Sequence, residues 1–189
     1  GTHHFTLDNG ARLKVYASPY TPCPPREEPT WDFQYRDGHD FAIEEGTDVV
    51  ITHGPPRGIF DMSPQKARLG CPDLFASVAR VKPKVHCFGH VHDGWGAKMA
   101  AWREKTSEKP THFSDIDHEK STTIHTLETL KRGEGNQETS RYCTARHCED
   151  PKEGAKTLFV NAAAQGENGL DKMPWVLDVD LLCEGPPSK

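Results

Sequence analysis

Two short runs of strand-forming residues, each cut off by residues that cannot continue a strand, constrain this chain more than anything else in it. The segment Asp48–Thr52 holds the continuous run Val49-Val50-Ile51 and is followed by Gly54-Pro55-Pro56. Proline has no N–H to give a ladder and glycine weakens one, so the strand must end there. Val85–Phe88 repeats the pattern and stops at Gly89. Apolar runs this short, without alternation, predict strands buried on both faces of a sheet. Between them lies the strongest helix signal in the chain. Pro72 suits a first helical position, Leu74, Phe75, Val78 and Val81 share one face, and Pro83 bars continuation. Strand, loop, helix, strand with sharp stops predicts an α/β fold, whose chemistry gathers in the loops beyond the strand ends.

Weaker signals extend this frame. Ala11–Ala17 reads as a strand, Leu13 and Val15 alternating with Lys14 and Tyr16, and the Pro-rich stretch Thr21–Pro29 as a loop. Thr157–Ala164 and Trp175–Leu182 read as two late strands joined through Gly166–Gly169. In the second, Val176, Asp178 and Asp180 alternate with Leu177, Val179 and Leu181, which predicts an edge strand with one wet face. Composition divides the chain into residues 1–103, a segment 104–156 rich in Glu, Lys, Thr, Ser and His, and a return to apolar strands and tail over 157–189. The middle segment is expected to be a polar, flexible insertion with at most one short helix near Thr122–Lys131, supported by Ile124, Leu127 and Leu130.

Bulk properties exclude several functions. A formal net charge of -5, its signs interspersed, argues against a nonspecific nucleic-acid binder, whose affinity comes from Lys and Arg on phosphates. No apolar run nears the roughly 20 residues needed to cross a bilayer, and no signal-peptide pattern opens the chain, so no membrane partner and a cytoplasmic setting are expected. A first residue of Gly1 rather than Met leads us to expect a natural N-terminus upstream. The 6 cysteines form no CxxC pair and read as reduced thiols. Cys143 and Cys148 with His147 between them are too loosely spaced, and lack a second ligand pair, to read as zinc ligands.

Of the 11 histidines, three stand at the strand stops. His53 follows Thr52 directly. His90 and His92 follow the second strand in the run Gly89-His90-Val91-His92-Asp93-Gly94. Neutral imidazole is the commonest nitrogen ligand of first-row divalent metals, and flanking glycines allow unusual dihedrals and close backbone approach. Two strand ends that each deliver histidine into a Gly-bounded loop point to metal binding.

Asp48-Val49-Val50-Ile51-Thr52-His53-Gly54-Pro55-Pro56 followed by Gly89-His90-Val91-His92 resembles the last two motifs of the calcineurin-like metallophosphoesterases, in the branch of the metallophosphoesterase-domain proteins and their fungal relatives. Arg68-Leu69-Gly70-Cys71 and Val160-Asn161-Ala162-Ala163 support the likeness, which covers roughly 11–103 and 157–181. The resemblance implies a layered β-sandwich flanked by helices, here without its N-terminal half. It implies a hydrolase of phosphomonoesters or phosphodiesters, cyclic nucleotides among them, using two ions such as Mn, Fe or Zn and a hydroxide bridging them. Carried across residue by residue, His53 and His90 would hold one ion and His92 the other. The family's earlier Asp-x-His, Gly-Asp and Gly-Asn-His motifs have no counterpart ahead of His53; Gly1-Thr2-His3-His4 is only superficially similar. Three histidines split over two ions fall short of the four to six ligands each needs, so the chain alone is expected to be inactive, with its catalytic residues unassigned.

Other residues carry blander readings. His86, within the second strand, suits a hydrogen-bonded core histidine. Trp31, Phe33, Tyr35 and Trp95 could line a substrate pocket or pack a core or lid. Asp61, Asp93 and Asn161 stand near the motif loops, where they could support ligands. Asp115, Asp117 and His118 read as a solvated charge cluster. Two rival functions remain: a noncatalytic remnant or fragment that binds a partner, and a mononuclear metal module of His53, His90 and His92. The oligomeric state is open.

Overall fold

The computed structural model of the protein describes residues 1–24, 28–129, 141–147, 154–166 and 169–181. Its strands, in chain order, begin with β1 (Thr2–Thr6), β2 (Arg12–Ser18), the short β3 (Thr21–Pro22) and β4 (Gln34–Tyr35), and β5 (Val49–Thr52). Helix α1 (Pro72–Val81) leads to β6 (Val85–Phe88), β7 (Gly96–Trp102), β8 (Ile116–Thr126) and β9 (Cys143–His147). The chain closes with β10 (Lys156–Asn161), the two-residue β11 (Gln165–Gly166) and β12 (Gly169–Leu170), and β13 (Trp175–Val179).

Seven strands make one sheet in the order β1-β2-β5-β6-β10-β7-β8. Its centre, β2-β5-β6-β10, is parallel, and β1, β7 and β8 join antiparallel at the two sides. The two runs that organise the sequence, β5 and β6, are adjacent in this parallel centre, with Val49 opposite Val85. Helix α1 connects them, as a parallel pair requires.

The helix forms where the sequence predicts it. Cys71 caps its N-terminus, the Sγ accepting from the Leu74 N–H at 3.2 Å, and Asp73 lies in the favourable first turn. Lys82 ends it in the left-handed region (φ 52°), its N–H donating to the Val78 carbonyl ahead of Pro83. The apolar stripe Leu74, Phe75, Val78 and Ala79 packs on one sheet face with Tyr16, Val50, Phe88, Ala100, Trp102, Ile116 and Phe159. Full burial of a Phe or Val side chain stabilises by about 1.5–3 kcal/mol, so this layer dominates the core.

On the opposite face β9 and β13 form a parallel two-stranded ribbon. Ala145, Trp175, Leu177 and Val179 of this ribbon cover Val85, Ala97, Leu158 and Val160 and reach Val49. The molecule is therefore mixed α/β, helix over sheet over ribbon, compatible with a layered sandwich. The ribbon leaves the outer face of β1, β2 and β5 open: Ile51 is 46% and Phe5 50% exposed, and Leu13, Val15 and Ala17 are half-buried. The expectation that the Val49–Ile51 run is buried on both faces is thus corrected at Ile51, because the ribbon reaches Val49 on that side of β5 but leaves Ile51 exposed.

The segment 104–156 contains β8 and β9. The helix expected near Thr122–Lys131 begins later than expected: Thr122–Thr126 belong to β8, paired with β7, and residues 127–129 are helical. Thr122, Thr123 and Ile124 are β-branched and fit a pleated surface better than a helical one. Leu130 and Lys131 lie outside the described residues. Asp115, expected in a solvated cluster, is buried at 2% exposure and accepts from Ser107 N–H, Thr111 N–H and the Ser114 hydroxyl at 2.6, 3.0 and 2.6 Å. It closes the turn that feeds Ile116 into the core. His118 donates from Nε2 to the His112 carbonyl at 2.8 Å, and Asp117 accepts from the Glu119 and Lys120 N–H groups.

Among the described residues no helix is long and apolar enough to cross a membrane. Cys23, Cys71, Cys87 and Cys143 are free thiols. Cys143 contacts the Met173 sulfur at 3.9 Å and His147 donates from Nε2 to the Lys156 carbonyl at 3.2 Å; Cys148 lies outside the described residues.

Candidate functional site

Because β5 and β6 are parallel neighbours in register, the loops that leave their C-terminal ends emerge side by side. The His53 carbonyl accepts from the Gly89 N–H at 3.0 Å, and the His53 N–H donates to the Ser18 carbonyl at 3.2 Å. The imidazoles of His53 and His90 meet across this link, Nε2 to Nδ1, at 3.2 Å. Two nitrogens held about 2.0–2.1 Å from one tetrahedral ion would stand about 3.3 Å apart. The pair therefore has the spacing of two ligands on a single metal.

His90 is half-buried and adopts φ 66°, a conformation uncommon for a side-chain-bearing residue and found where surroundings over-determine the backbone. Burial, then the neighbouring imidazoles of His53 and His92, push its pKa down, which favours the neutral ring. Neutral imidazole is the ligating form.

The loop carrying His92 is braced from three sides. Asn161, at the end of β10 and fully buried, donates to the Val91 carbonyl at 2.9 Å while its Oδ1 accepts from the Ala163 N–H at 3.0 Å. The Lys172 ammonium donates to the His92 carbonyl at 2.5 Å, and the Trp95 indole donates to the Met173 carbonyl at 3.0 Å. A Cβ at Gly94 would lie 2.0 Å from the Phe60 carbonyl oxygen, so only glycine lets these backbones approach. His92 itself is exposed, in a 3₁₀ turn spanning His92–Gly94.

Among the described residues no group of three His, Cys, Asp or Glu side chains converges as a metal site. The structure brings His53 and His90 together and leaves His92 beside them without completing a cluster. The residues present fit one side of a metal site, and a full centre needs further donors.

The other sequence candidates separate clearly. His86 is buried and bonded to Thr52. Asp61 is buried and paired with Arg68 at 2.7 Å, accepting also from the Gly58 and Gly70 N–H groups, which makes it a turn-former. Asp93 is exposed at the site's rim. Trp95 is buried against Trp175, and Tyr35 is bonded to the Cys71 thiol at 2.7 Å, so neither lines the site. Trp31 stands over His90 edge-on, ring centroids 5.6 Å apart, and with Phe33 remains exposed. Lys172 escaped the sequence reading, since a lone lysine between two short strands gives no local signal.

Comparisons with known proteins bear on the same motifs. Metallophosphoesterase domain-containing protein 1 of Homo sapiens is 40% identical over 91 residues, 44% of this chain and 27% of that protein. This chain is a relative of the metallophosphoesterase-domain proteins. UPF0046 protein T07D4.2 of Caenorhabditis elegans matches at 37% identity over 90 residues, 44% of this chain and 22% of its own length. A protein of Emericella nidulans named as a probable rhamnogalacturonate lyase C is 33% identical over 106 residues, 51% of this chain but 9% of that much longer protein. The chain thus spans about a quarter of the length of the metallophosphoesterase-domain relatives, 27% of the human one. No family model matches it.

Proposed function

We propose that this chain forms one side of the active site of a metal-dependent phosphoesterase that hydrolyses small phosphomonoesters or phosphodiesters. In this reading His53 and His90 share one ion, and His92 turns toward a second. The observation that carries it is the 3.2 Å approach of the His53 and His90 ring nitrogens at the ends of adjacent parallel strands. Manganese, iron and zinc all suit imidazole. Bound ions would supply Lewis-acid stabilisation of charge developing on a phosphoryl group. The protein's own part is to keep His90 neutral and both rings aimed, through the Gly89–His53 link and the left-handed turn at His90. Two imidazoles do not complete a coordination shell, so this chain alone binds metal with modest affinity and turns over little or no substrate.

Cobalt(II) titration followed by its visible absorption tests the assignment. His53→Ala and His90→Ala should each weaken binding about tenfold or more, the scale expected when a ligand is lost, since loss of a group that merely supports a ligand already costs about 10–100-fold. Binding indifferent to both changes would sink the reading. Hydrolysis of an aryl phosphodiester by this chain, abolished by His92→Ala, would overturn the inactivity. A second reading, a noncatalytic piece that docks onto a partner, draws on the open apolar face of β1, β2 and β5.

A further inference from the structure

Thr52 ends β5 one residue before His53, and its side chain is buried at 5% exposure. Its Oγ1 lies 2.7 Å from the Gly54 carbonyl oxygen and 2.9 Å from Nε2 of His86. A carbonyl oxygen only accepts, so the single hydroxyl hydrogen of Thr52 points to Gly54. The His86 contact must then run the other way, with the Nε2–H donating to Oγ1. This fixes His86 as the neutral Nε2–H tautomer and leaves its Nδ1 buried with no hydrogen-bond partner. His86 is completely buried, and desolvation lowers its pKa to about 3, which keeps the ring uncharged.

The relay His86 to Thr52 to Gly54 grips the backbone on the far side of His53. The near side is held by the bond from the His53 N–H to Ser18, and the His53 carbonyl by the Gly89 N–H that immediately precedes His90. We infer that Thr52, oriented by His86, is a positioning residue that fixes the turn after β5 and so holds the His53 ring at ligand spacing from His90. The inference rests on the metal reading above. A valine would fill the volume of Thr52 and suit a strand equally well. The hydroxyl is what the arrangement uses.

The test is cobalt(II) titration of the whole chain as Thr52→Val and Thr52→Ser, with the His86 tautomer read by ¹⁵N NMR in the unsubstituted protein. We expect T52V to weaken cobalt binding about 10–100-fold, as loss of a group supporting a ligand does, and T52S to stay within about threefold. We expect His86 to carry its proton on Nε2. Cobalt affinity unchanged in T52V, an equal loss in T52S, or an Nδ1–H tautomer would each overturn the positioning role. The tautomer needs no variant, so a T52V that fails to fold leaves the relay testable. No cobalt binding by the unsubstituted chain would defeat the metal reading itself, a pattern distinct from binding that ignores Thr52.

Discussion

The two faces of the central sheet come from the same strands and meet different fates. On β5, Val50 points under α1 and is completely buried, whereas Ile51, next in sequence and equally apolar, points outward and is 46% exposed. On β2, Tyr16 is buried under the helix while Val15 and Ala17 on the other side are half-covered. The ribbon of β9 and β13 shields the outer face over β6, β10 and β7, with Val49 of β5 and Ile124 of β8 at its margins. The difference teaches that the strands are composed for burial on both sides, and that the described residues provide a full cover for only one. The metal-facing loops leave the sheet at the boundary between these regimes, with His86 and Thr52 on the dry side.

The sharpest way to break this comparison is to remove matched apolar side chains from the two faces. Phe159→Ala, on β10 beneath α1, should destabilise by about 3–5 kcal/mol, because deletion of a fully buried aromatic loses transfer energy and leaves a cavity. Urea unfolding would show it as a large fall in midpoint or loss of the cooperative transition. A loss under about 1 kcal/mol would mean that the helix-covered layer is not the main core.

Acid sharpens the same contrast. His86 is held neutral with a folded pKa of about 3, against about 6.5 for an exposed histidine. Between these values the unfolded chain binds a proton that the folded chain refuses. Stability attributable to His86 is therefore complete above about pH 6.5 and drains as pH falls, at about 1.4 kcal/mol per unit. Urea midpoints measured from pH 7 down to 4 should fall accordingly, while NMR shows His86 untitrated in the folded state. Titration of folded His86 near its ordinary value would contradict the dry environment assigned to that face.

How much of this was legible beforehand follows from where each signal lives. The bounds of β5, α1 and β6 are written locally, in β-branched runs, a proline at the helix start and glycine or proline stops. The meeting of His53 with His90 follows once those two strands are parallel neighbours. The exposure of Ile51 could not be read from Val49-Val50-Ile51, since cover is a tertiary property. Nor could β8, whose Thr-rich stretch offered too few apolar residues to set a period. The Thr52–His86 bond was missed for another reason. The register places Val50 opposite His86, so Thr52 is its diagonal neighbour, a relation visible only after pairing is known.

A smaller effect is expected at the edge of the site. In Gly94→Ala the new methyl would collide with the Phe60 carbonyl, and backbone cannot yield as a flexible side chain can. Overpacking of this kind costs about 1–3 kcal/mol. The loop carrying His92 should loosen with it, visible as faster amide exchange over residues 91–95 with the strands unaffected. Slow exchange retained there would mean that Asn161 and Lys172 hold the loop without help from the close approach at Gly94.

The smallest effect should come from the open face. Ile51→Ser changes a side chain already half in water, and the unfolding free energy should move by no more than about 0.5 kcal/mol, as for surface substitutions generally. Against about 3–5 kcal/mol for the buried aromatic on the other side, that gap measures how unequal the two faces are. The same change should raise solubility, because an exposed apolar strand face promotes association. Should Ile51→Ser instead cost as much as a core deletion, something covers this face in solution, and sedimentation of the unsubstituted chain would then show an assembly larger than 21.1 kDa. The open face would in that case be an interface, and the contrast between the two sides would be one between an internal core and a core completed by association.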